Sequence, residues 1–172
     1  DAWWLAPDRY TDRNELIRMW AVSNYISNWD SYSGPTVNNF YLRSDRMGVF
    51  TMHPFGTDES FGGSNEYNFD MDAPAVGYPW IKLSHKTDTL ERGMLFRKCL
   101  TYAPCKTEYL LQLKAVSAKA TSIRLTTAMK NTSTLIAPYT NAAVKKEQVR
   151  VQAWVVKQQA RVAALLKLNK IK

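Results

Sequence analysis

The chain contains no run of about 18 apolar residues, so no transmembrane helix is expected. Glycine and proline are scarce, seven of each, which excludes low-complexity and collagen-like chains. The first residues, Asp1-Ala2-Trp3-Trp4, lack the basic start and apolar run of a cleavable secretory leader. There is no initiator Met, which suggests a processed or trimmed form and fits import into an organelle such as the mitochondrion, or secretion.

Chemistry-bearing residues are also few. Cys99 and Cys105 are the two cysteines and His53 and His85 the two histidines. The cysteines fit equally a small disulfide loop closed around Pro104 and a pair of reduced structural thiols. The four residues together make a formal zinc set, but without the tight pairs that mark such sites. No flanking pattern suggests an activated thiol. Asp58, Glu59, Glu66, Asp70 and Asp72 gather in one polar stretch, where paired carboxylates or a calcium loop come into question. The calcium loop's ligand spacing and terminal Glu are missing, so a solvated acidic loop, or an internal partner for basic residues, is the simpler reading. Gly62-Gly63 lies in no phosphate-binding pattern, and Asn131-Thr132-Ser133 is a glycosylation sequon of a kind that arises by chance. The expectation is therefore a protein that is not an enzyme, with no cofactor and no metal.

What the chain does have is aromatic side chains and a lopsided charge. Six Trp, nine Tyr and six Phe suit a good core and also an interface. Residues 1–105 hold 10 Lys/Arg against 13 Asp/Glu, a net of −3, whereas residues 106–172 hold 13 against two, Glu108 and Glu147, a net of +11. Such asymmetry suggests that the C-terminal part meets something negative.

Periodicity predicts an amphipathic helix over 12–30, with Asp12 and Glu15 spaced as a capping pair and Gly34-Pro35 behind it. Short strands are expected at Phe40-Tyr41-Leu42, at 47–52 and at 80–83, with an irregular segment over 53–79. A helix follows from 106 to about 120. Residues 121–140 fit a strand, a second helix or a connector. The last helix, about 141–170, places Val144, Val151, Trp154, Val155, Val162, Leu165 and Leu166 in an arc of about 120°. Lys146, Arg150, Lys157 and Arg161 lie beside it within about 60°.

The predicted architecture is α+β or mainly α: an aromatic-rich body over 1–140 and a basic amphipathic helix over 141–172. At about 45 Å that helix is long enough to leave the body. The expected function is a non-catalytic structural or accessory subunit of a large multiprotein assembly. It would dock other protein subunits through Lys146, Arg150, Val151, Trp154, Val155, Lys157, Arg161, Val162 and Leu166. The alternative is an RNA-binding protein, ribonucleoprotein or ribosomal, using the basic helix. An anionic membrane surface is a third partner the same helix would suit.

Overall fold

The computed structural model describes residue 4 and residues 9–34, 36–58, 60–61 and 93–171. The predicted strand at 80–83, His85, Gly62-Gly63 and the acids Glu59, Glu66, Asp70 and Asp72 lie outside the described residues. The described part is mainly helical with one small sheet, as the sequence predicts.

Helix α1 runs Arg13–Tyr25. Asp12 Oδ1 accepts the Glu15 N–H at 3.0 Å, so the capping residue at the start of the predicted helix is in place. The helix ends five residues before the predicted boundary. Ser27 takes a left-handed φ of 59°, the Asn28 N–H reaches the Ser23 carbonyl and the Ser27 N–H reaches Asn24. These crossed bonds satisfy the last carbonyls of the helix and stop it without a glycine.

Strands β1, Phe40–Ser44, and β2, Phe50–Pro54, form an antiparallel hairpin with Phe40 opposite Pro54 and Ser44 opposite Phe50. Asp45 folds the turn by accepting the N–H groups of Met47 and Val49 at 2.8 and 2.9 Å. Met52 is the buried residue of β2 and joins the core formed with α1.

Helices α2, Met94–Thr101, and α3, Ala103–Ser122, are separated by extended Tyr102, with Pro104 in the first turn of α3. Cys99 and Cys105 form a disulfide across this joint, Cα to Cα 5.0 Å, which settles the choice between bridged and reduced cysteines. Bonded to each other, neither sulfur is available as a zinc ligand or a nucleophile.

The Thr- and Ser-rich stretch after Ser122 is a helix, α4, Leu125–Ile136. Thr132 and Thr134 donate to the carbonyls four residues back, at 3.1 and 3.0 Å, so their hydroxyls do not compete with the helical ladder. A 3-10 turn, Ala137–Tyr139, leads to α5, Ala142–Leu168, whose N-cap Asn141 accepts the Val144 N–H.

The core is built where α1 crosses α3. Leu16, Ile17, Met19 and Trp20 meet Phe96, Tyr109, Leu110 and Leu113, and Val162 and Leu165 of α5 close one side. Trp20 contacts Phe96 edge-on at 5.3 Å, and Phe96 contacts Tyr109 at 5.2 Å, the tilted geometry that aromatic quadrupoles favour. Gln158, wholly buried on α5, donates to the Tyr25 carbonyl at 2.9 Å and ties that helix to the end of α1.

Candidate functional site

The last turn of α1 and the loop from it to β1 differ in kind from the rest of the interior. Ser23, Asn24, Ser27, Asn28, Ser31 and Ser33 are buried, and outside this stretch only Ser60 and Gln158 are buried polar residues among those described. Burying so many hydroxyl and amide groups is unfavourable unless each is bonded. Hydrogen bonds hold part of this segment, whereas the buried Asn24 and Asn28 side-chain nitrogens have no partner among the described residues. Ser31 and Ser33 meet at 3.3 Å, and the Gly34 N–H donates to Ser31. A Cβ on Gly34 would collide with the Trp29 carbonyl, so the close turn needs glycine.

This loop presents Asp30, half-buried. The Thr36 hydroxyl donates to Asp30 Oδ1 at 2.5 Å and lies 3.2 Å from the Trp29 carbonyl, while Asn38 Nδ2 lies 3.4 Å from Asp30 Oδ2. One carboxylate oxygen is thus firmly held and the other only loosely engaged.

The hairpin then returns the chain to the same place. The Phe55 N–H donates to the Asn39 carbonyl at 3.0 Å. Gly56, with φ of 59°, lies so close to the Asn39 carboxamide that a Cβ there would clash with it. Two residues on, Asp58 has an exposed carboxylate. Asp30 is thus in contact with Asn38, and Asn39 with Phe55 and Gly56, at the open end of the hairpin, and exposed Asp58 follows Gly56 by two residues.

Asp58 is legible in the sequence as part of an acidic cluster, whereas Asp30 and Asn38 belong to no pattern that marks them as candidates. The available signal is an Asp, then an Asn pair eight residues on, then a second Asp beyond a two-strand hairpin.

Of the docking residues expected on the last helix, the apolar ones pack within the described chain. Trp154, Val155 and Val162 are buried, and Val151 and Leu166 are half-buried, Leu166 against the main core. Trp154 and Val155 form a second apolar cluster with Phe61, Leu125 and Met129. Lys146 and Lys157 are exposed, and Arg161 is half-buried. Arg150 engages Glu147 through Nε, 2.9 and 2.8 Å from its two oxygens, and Nη1 donates to the Phe61 carbonyl at 3.3 Å. Hydrogen bonding from Arg150 holds the Glu147 carboxyl below its ordinary range, against a small opposing effect of burial. The predicted apolar arc packs on the chain's own helices from Val151 onward, whereas Val144 at its start is exposed. No described helix is long and apolar enough to cross a membrane.

No curated protein and no solved structure matches the chain. A family model does, that of the CotH kinase protein, over residues 7–163. This match overturns the expectation of a structural or accessory subunit of a mitochondrial assembly, and with it the RNA-binding alternative. The matched span takes in the polar loop, the hairpin, Asp58 and most of α5, and on its extent the chain belongs to the CotH kinase protein family.

Proposed function

We propose that the chain carries a phosphoryl-transfer site formed by Asp30, Asn38, Asn39 and Asp58. This replaces the expectation that the protein is not an enzyme. What supports the reading is the order and convergence of these groups within a family described as kinase. In protein kinases a catalytic-loop Asp accepts the proton of the attacking hydroxyl, an Asn shortly after it holds a metal ion, and a second Asp further along holds metal bound to the phosphates. The chain repeats that order: Asp30, Asn38-Asn39, a hairpin, Asp58. Its spacing departs from the protein-kinase loop, in which four residues separate Asp and Asn; here seven do.

Asp30 is the group placed to take the proton. Its Oδ1 is occupied by the Thr36 hydroxyl, which leaves Oδ2, with its long contact to Asn38, as the oxygen that faces an acceptor hydroxyl. Thr36 fixes the rotation of the carboxylate, and that orientation is a large part of what a general base must have. The donor set fits a divalent cation: the amide oxygens of Asn38 and Asn39 and the exposed carboxylate of Asp58 are hard oxygen ligands of the type Mg2+ takes. When bound, such an ion neutralises phosphate charge and sets the transferring group in line. Asn38 also reaches Asp30, so one side chain couples the base to the metal-holding group.

The observation that carries the reading is the contact of Asp30 with Asn38 and of Asn39 with Gly56, two residues before Asp58. Its test is transfer of labelled phosphate from ATP by the full-length protein with Mg2+. Asp30→Asn is expected to lower the rate at least about 100-fold, the usual share of a general base. Equal rates for wild type and variant would refute the assignment of Asp30.

A further inference from the structure

Phe61 lies three residues beyond Asp58 and is held from three directions. Its N–H donates to the Ile26 carbonyl at 2.6 Å, just before the loop that carries Asp30. Its carbonyl accepts Arg150 Nη1 at 3.3 Å, and its ring meets Trp154 edge-on at 6.0 Å and 84°. Its φ is 61°, a left-handed conformation unfavourable for an aromatic residue, which persists only where the surroundings over-determine it. Trp154 is itself buried between Phe61, Leu125 and Met129.

On the other side of Asp58 the backbone is equally fixed, through Phe55 on the Asn39 carbonyl and Gly56 against the Asn39 carboxamide. Asp58 therefore lies in sequence between two fastened residues, Gly56 and Phe61. Three residues of chain reach at most about 10 Å, so where Phe61 is held limits where the Asp58 carboxylate can be.

We infer that Phe61, Trp154 and Arg150 are positioning residues that set the Asp58 carboxylate for the cation, and that this is what α5 contributes to the site. The inference rests on the reading of Asp58 as a metal-holding group. It assigns Arg150 and Trp154 an internal task at the reaction centre. Groups outside the ligands themselves commonly alter metal affinity by about 10- to 100-fold.

The experiment follows the affinity of the full-length protein for the Mn2+ complex of a non-hydrolysable ATP analogue, by electron paramagnetic resonance, alongside thermal stability and phosphate transfer. Trp154→Ala and Arg150→Ala are each expected to weaken that affinity about 10-fold, and Trp154→Phe to restore it. Trp154→Ala or Arg150→Ala with reduced thermal stability but unchanged Mn2+ affinity would show a merely structural role and overturn the inference. Should Asp58→Asn abolish binding while both α5 variants bind as wild type, the metal site stands and the positioning role falls. Binding that depends on Asp58, Trp154 and Arg150, in a protein that transfers no phosphate, would uphold the positioning role and defeat the kinase reading. A wild type that does not bind the complex defeats both.

Discussion

Tyr32 shows how single side chains hold the polar loop to the helical body. Its ring stacks on Trp20 at 6.1 Å and meets Phe40 edge-on at 5.1 Å, and its hydroxyl oxygen accepts the Leu95 N–H at 3.1 Å. That bond satisfies one of the free N–H groups at the start of α2, where Gly93 offers no side-chain cap. Burial raises the Tyr32 phenol above its ordinary value, against the opposing effects of the Leu95 N–H and Arg97. The fold therefore favours the neutral phenol. Its contribution is complete below the unfolded value near 10 and is lost as pH rises through the higher folded value. Tyr32→Phe should cost about 1 kcal/mol at neutral pH, because the Leu95 N–H loses its partner. It should also flatten the fall in stability above pH 10, leaving the slope due to Tyr25, whose phenol burial likewise raises. Urea midpoints at neutral and alkaline pH for both proteins check this, and an unchanged alkaline slope would count against it.

At the scale of elements, the apolar period is a sound guide where helices bury a face. The stripe Leu16, Met19, Trp20 marks α1, Tyr109, Leu110 and Leu113 mark α3, and Trp154, Val155, Val162 and Leu165 mark α5. It is a weaker guide to α4, which buries no residue fully and whose Leu125 and Met129, at helical spacing among Thr and Ser, pack against Trp154 and Val155. Periodicity also says that a face is covered without saying by what, and so α5 reads as a docking helix when its cover is the same chain. The candidate site leaves a fainter trace because it is made of loop residues, which carry no period, brought together by hairpin pairing between residues 14 apart, Phe40 and Pro54. The α2–α3 joint is where the elements are stapled covalently. Closing so short a loop stabilises by about 2 kcal/mol in the chain-entropy model. Cys99→Ser with Cys105→Ser should lower the melting temperature by roughly 4–8 °C for a domain of this size. Calorimetric melting of the two proteins measures it, and a shift near zero would mean that the buried helix contacts alone hold the joint.

For the whole molecule, the helical layer of α1, α2, α3 and α5 is a frame on which one polar loop and one hairpin are mounted. The frame brings the far end of the Asp58 segment to α5 through Phe61, and the near end to the Asp30 loop through Asn39. Charge asymmetry, the most visible feature of the sequence, lies mostly on exposed helix surface, as with Lys145, Lys146 and Lys157. In the proposed site the chemistry falls to uncharged amides and two carboxylates at the hairpin's open end. If that is the division of labour, Asp58 and Asn38 act in binding the metal–nucleotide and Asp30 acts after binding. Calorimetric titration of Mg2+–ATP into the full-length protein separates these roles. The account predicts that Asp30→Asn binds within about 3-fold of wild type while Asp58→Asn loses about 10-fold or more. Binding by Asp58→Asn as tight as wild type would contradict it.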